Sequence, residues 1–234
     1  MFVIRIYIRK GGTVEMLEKY IIALTNLYGM IRKDMVVDIY NRQNNDKITI
    51  EQIDVYFNDR ITQIPKTEIY TYGTYFAHLL VVEFDNFTRF IRGKEDKPFY
   101  LPAQEDLLKY VNDSYFDKTE SYYKLCNYVR EHIFGENRSG AGYFCDNLYL
   151  SLKQGVSVDA IMSVEFERLQ IELSGDFQDK IVYGLLLDFS QDVRNWENNG
   201  YTERELSLMN SDPDSAAKQA KKRNVIPFRL DKDK

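Results

Sequence analysis

Residues 17–60 read LEKYIIALTNLYGMIRKDMVVDIYNRQNNDKITIEQIDVYFNDR, three short amphipathic segments with turn signals between them. In the first, Leu17, Tyr20, Ile21, Leu24, Leu27 and Tyr28 share one helical face, and Gly29 follows as a natural C-cap. Asp34 stands where it can help start a second helix carrying Val36, Val37, Ile39 and Tyr40, which runs out in the polar stretch Asn41 to Asp46. Thr49 and Gln52 have capping-box spacing at the head of a third, with Ile53, Tyr56 and Phe57 apolar. This is the sequence shape of a helix-turn-helix, a docking device for nucleic acid or protein.

Beyond Pro65 the pattern changes. IYTYGTYFAHLLVVEF is rich in aromatic and β-branched residues around Gly73, which predicts a hairpin. Three helices and a hairpin describe a winged-helix-like unit over residues 16–100. Asp85 to Pro98 is expected to be a loop or short helix, and Pro102 sits near the start of another helix. Helical spacing then recurs over residues 114–134, 143–154, 157–173 and 177–196, with Ser157 and Asp176 as caps, predicting a helical bundle over residues 101–209. Residues 210–234 are poor in large apolar side chains and locally basic, the composition of a flexible tail. The fold class is therefore α+β and predominantly α.

Residues 1–15 have two readings. KGGTVEM is encodable as a ribosome-binding sequence ahead of Met16, which would make the stretch a non-native extension; Val3, Ile4, Ile6, Tyr7 and Ile8 are equally the residues of a strand.

Composition narrows the function classes. The net charge of −5 and pI near 5.3 are not those of a general nucleic-acid binder, so any such contact must be local. Tyr and Phe, at 18 and 14, suit a packed core with polar rims. Apolar runs fall short of the roughly 20 residues that span a bilayer, so no membrane partner is expected and the localisation is read as cytoplasmic. Cys126 and Cys145 are too few for a disulfide scaffold and are read as free and buried, with pairing left open.

No catalytic constellation emerges. His78 and His132 stand apart from nucleophile motifs, and Phe144 and Asp146 beside Cys145 oppose its ionisation. The carboxylate pairs Glu105 with Asp106, Glu165 with Glu167, and Asp188 with Asp192 read as solvated faces. The chain is expected to be non-enzymatic, with no cofactor and no metal.

Three blocks, LYGMI with DIYNRQN, KPFYLPAQEDLLKY and RNWENNGYTERELSLM, resemble the helical region of bacterial SEC-C motif-containing proteins, mainly from Firmicutes and their phages, over residues 16 to about 210. The resemblance implies a helical architecture and a phage or mobile-element setting. It does not imply zinc, because the eponymous motif is a Cys-rich tail and the last cysteine here is Cys145.

A protein-binding or adaptor role, acting on a nucleic-acid-handling partner, is the expected function. Its candidate residues are Glu51, Asp54 and Asp59 on the third helix, with Trp196 and Tyr201 as anchors, although a Trp closing an amphipathic helix commonly seals its own core. The alternative is a winged-helix DNA-binding regulator holding phosphates through Arg32, Lys33, Arg42 and the tail cations Lys218, Lys221, Lys222 and Arg223. Carboxylates on the third helix, against Arg60 alone, weigh against base reading there.

Overall fold

The computed structural model describes residues 12–56, 64, 66–83, 87–94, 97–135, 138–168, 171, 173, 175–211 and 226–228. It is predominantly helical, with a small three-stranded antiparallel sheet. The chain forms two compact units, Met1–Arg92 with Pro102–Tyr115, and Gly93–Leu101 with Phe116–Lys234.

The first unit begins with α1 (Thr13–Tyr28), whose buried face is the one the sequence marks: Leu17, Tyr20, Ile21, Leu24, Leu27 and Tyr28. Gly29 ends it at φ 75°, its N–H donating to Thr25 O at 2.7 Å; a left-handed residue without a Cβ costs little there. The chain then enters β1 (Met30–Arg32), α2 (Lys33–Gln43) and α3 (Ile50–Tyr56). Strand β1 has no counterpart in the sequence reading, since three residues are too few to display a period of two. Between α2 and α3, Asn41 fastens the turn to Ile48 by two 2.8 Å bonds, and Thr49 N–H donates to Gln52 Oε1 at 2.9 Å, one arm of the expected capping box.

The hairpin consists of β2 (Ile69–Tyr72) and β3 (Tyr75–His78), with Tyr72 opposite Tyr75 and Gly73 at φ 57° in the turn. Strand β3 is central, pairing antiparallel with β1 through Met30 and Ala77, so the order is β1-β3-β2. The apolar run does not stay extended beyond His78: Leu79–Glu83 is helical (α4), and α5 (Phe87–Lys94) follows. Helix α6 (Gln104–Leu107) continues as a 3-10 turn to Val111 and lies against α1. Gln104 donates to Tyr20 Oη at 2.8 Å and Asn44 Oδ1 at 2.9 Å, Tyr20 donates to Gln43, and Asn26 donates to Tyr110 O. These bonds are why residues 102–115, read as the opening of the bundle, join the first unit.

The second unit holds β4 (Phe99–Leu101), α7 (Glu120–His132), α8 (Arg138–Lys153), α9 (Val158–Ala160) running through a π turn into α10 (Phe166–Arg168), α11 (Asp176–Asp192) and α12 (Glu203–Ser211). Its core gathers Leu125, Val129, Phe144, Leu148, Ile161, Phe166, Val182, Leu186 and Phe189. Phe116 stacks on Tyr149 with centroids 3.9 Å apart. Ser157 caps α9 as expected, its Oγ accepting from Ala160 N–H. Asp176 does not cap α11; Gly175, at φ 93°, takes that position and places Asp176 in the first turn. Helix α11 also stops earlier than its apolar spacing suggests, because Val193 is extended and Trp196–Asn198 forms a separate 3-10 turn.

In the stretch read as a flexible tail, Ile226–Phe228 forms β5 and pairs antiparallel with β4, Phe99 opposite Phe228. Pro227 cannot donate to a ladder, which suits the edge of a two-stranded sheet.

Candidate functional site

The second unit carries an open groove of about 890 Å³. One wall is the run Val158–Arg168, where Ile161–Glu165 adopts π geometry and Ser163 Oγ donates to the carbonyls of Asp159 and Ala160. The widened turn interrupts an otherwise regular helix, the kind of irregularity that recurs at functional sites. Met162, Phe166, Ile171 and Leu173 supply apolar lining, while Asp159, Glu167, Asp179, Lys180 and Tyr183 supply polar groups. Three carboxylates face one ammonium, so the lining is acidic. The Tyr183 hydroxyl donates to Asp159, whose acceptance and negative charge push the phenol pKa up. This arrangement suits a ligand with an apolar body and cationic ends.

Elsewhere in the same unit, Lys94, Lys97 and Tyr100 meet residues 194–205 in a partly buried polar knot. Arg194 lies 3.4 Å above the Tyr100 ring and donates to Gly200 O, Glu205 and Asp117. Glu205 also accepts from Thr202 N–H, and Thr202 Oγ1 accepts from Glu205 N–H, a complete reciprocal capping box at the head of α12. Asn199, fully buried at φ 50°, donates from Nδ2 to the carbonyls of Lys94 and Lys97 and accepts the Tyr100 N–H on its own carbonyl. Asn is among the few residues other than Gly that tolerate this left-handed conformation.

Lys94 Nζ donates to Trp196 O at 2.6 Å and Asn199 Oδ1 at 3.2 Å. Burial, reinforced by the neighbouring Lys97 ammonium, pushes its pKa down to about 7. The folded chain therefore releases this proton near neutrality, whereas the unfolded chain holds it to about pH 10.4. Stability is expected to rise with pH through that window and to lose this contribution below about pH 7. Urea unfolding at about pH 7 and about pH 9 should show wild type gaining about 2 kcal/mol relative to Lys94→Met. Parallel curves would show that Lys94 does not titrate in the interval.

The sequence-selected residues scatter. Trp196 and Tyr201 are 1% and 3% exposed; as partner anchors they are corrected to core residues, because the turn at Asn198–Gly200 folds them inward. Burial pushes the Tyr201 phenol up to about 12. On α3, Glu51 is exposed, and Asp54 binds Lys33 Nζ at 2.9 Å. Lys33 is itself buried and thus corrected as a phosphate contact. Arg32 is bound to Asp34, its Nε donating to Oδ1 at 3.0 Å, while Arg42 is exposed. Asp59, Lys218, Lys221, Lys222 and Arg223 lie outside the described residues.

His78 is buried, its Nδ1 accepting from Leu80 N–H at 3.2 Å, and exposed His132 packs on Tyr128. Asp188 and Asp192, read as a solvated pair, are both bound by Arg204. The sequence reading missed the groove, whose acidic residues are spread along the sequence, and missed Val55, 70% exposed on α3 next to Asp54. It also missed Lys94, since nothing local announces its bonds to Trp196 O and Asn199 Oδ1. No helix among the described residues is long and apolar enough to cross a membrane. No family model, curated protein or solved structure matches the chain.

Proposed function

We propose that the chain is a non-enzymatic protein-binding or adaptor protein whose groove takes a basic amphipathic segment of a partner. The observation that carries this reading is the groove's composition: an apolar lining from Met162, Phe166, Ile171 and Leu173 beside Asp159, Glu167 and Asp179. Apolar side chains of the partner would displace water from the lining, and its Lys or Arg residues would answer the carboxylates and speed encounter. Glu51 and Val55 on α3 favour a protein surface over phosphate for the first unit as well. On this reading the resemblance to SEC-C motif-containing proteins is one of scaffold, and the partner handles nucleic acid in place of this chain.

A synthetic helical peptide with Leu on one face and Lys on the other is the probe. It should bind the full chain, and Glu167→Lys with Asp179→Lys, both exposed positions, should weaken binding about tenfold or more with most of the change in association rate. Equal affinity for wild type and the charge-reversed variant, or no binding to either, sinks the proposal.

A second reading rests on topology. The order α1-β1-α2-α3-β2-β3, with sheet order β1-β3-β2, supports a winged helix for the first unit, and hence duplex DNA as ligand. Steeply salt-dependent retardation of duplex DNA, lost on removal of residues 218–234, would favour it over the protein-binding reading.

A further inference from the structure

We propose that Cys126 and Cys145 form a redox site that reacts with low-molecular-weight disulfides and closes into an intrachain bond joining α7 to α8. These are the only cysteines in the chain. The fold packs them into one core from separate helices, Cys145 inside the buried cluster and Cys126 against it, where the Cys145 thiol acts as a hydrogen-bond donor toward the Cys126 sulfur; both are free thiols. Helices α7 and α8 pack directly on one another, with one cysteine on each.

The surroundings give the two thiols different tasks. Cys126 is partly exposed, and Cys145 is fully buried in the core. Around them stand Lys118, whose ammonium lies 5.2 Å from the Tyr122 ring, and Tyr122, whose hydroxyl donates to Asp146 Oδ1 at 2.8 Å. The Cys145 hydrogen bond is the main influence lowering the Cys126 pKa, opposed by burial and by Asp146 and aided by Tyr122 and Lys118. Cys145 is shifted upward by the same hydrogen bond and by burial. An accessible thiolate beside a cation is the nucleophile that disulfide exchange needs, and a buried neighbouring thiol is its resolving partner.

The steps balance. The Cys126 thiolate attacks one sulfur of a small disulfide RSSR, forming Cys126–S–S–R and expelling RS⁻. Cys145 then gives its proton to the expelled thiolate and attacks Cys126 Sγ, expelling the second R group as thiolate, which takes the proton released by Cys126. Two protein thiols are oxidised to one disulfide, and RSSR is reduced to two RSH.

Oxidised glutathione added to the full chain is the test, read by intact mass and thiol titration. Wild type should lose both titratable thiols, end two hydrogens lighter with no glutathione retained, and yield a cross-linked peptide pair after non-reducing digestion. Cys145→Ser should instead retain one glutathione on Cys126, and Cys126→Ser should remain unmodified over the same period. A wild-type end state carrying glutathione, continued presence of both thiols, or equal reaction of the two serine variants would overturn the proposal. The wild-type measurements stand even if a serine variant fails to fold.

Discussion

Trp196→Ala should destabilise the second unit by about 4 kcal/mol, measured as a fall in urea midpoint followed by far-ultraviolet circular dichroism, since the substitution removes the only Trp fluorophore. The side chain is 1% exposed, and Lys153 Nζ lies 5.3 Å from its ring. Truncation removes the largest buried side chain of the 3-10 turn and leaves a cavity that the knot's hydrogen bonds resist closing. Trp196→Phe fills most of the space and should cost less than half as much. An affinity lost on truncating this residue would thus report unfolding, whereas the phenylalanine variant should bind the Leu/Lys peptide as wild type does. A midpoint unchanged by the alanine substitution would show that the indole is not part of the core.

Arg194→Ala should cost about 3 kcal/mol, the lower end for breaking a buried ion pair. The guanidinium is 10% exposed and Glu205 15%, so removing the cation leaves a largely desolvated carboxylate and an unanswered Gly200 carbonyl. Thr202 N–H still donates to Glu205, which keeps the loss from being larger. Arg194→Lys should recover little, because a single ammonium cannot stack on Tyr100 and serve the other acceptors together. Adding Glu205→Gln to the alanine variant removes the stranded charge and should restore part of the midpoint; no restoration would mean that packing on Tyr100, not charge, dominates.

What the sequence disclosed follows the range of the interactions concerned. Helix α1, its Gly29 cap, the hairpin at Gly73 and the Ser157 cap are local patterns, and each is where its residues place it. Strand β1 was hidden because its pairing with β3 joins residues far apart in sequence. The early end of α11 depends on Arg194 and Asn195 being drawn into the knot, a demand that apolar spacing cannot express. The groove escaped for the same reason, its carboxylates coming from residues 159, 167 and 179 with apolar lining between them. Trp196 was legible as important and ambiguous as to why; its burial decides for the core.

The exchange of short segments between the two units has a consequence for synthesis. The first unit needs residues 102–115 to supply Gln104 and the Tyr110 carbonyl to α1 and α2, so it cannot close until translation has passed well beyond its last helix before residue 92. The second unit opens with β4, whose strand partner Ile226–Phe228 is made more than a hundred residues later. The early segment 93–101 must wait for that strand partner while more than a hundred further residues are made, and cutting the chain at residue 100 to isolate a half would leave both halves incomplete.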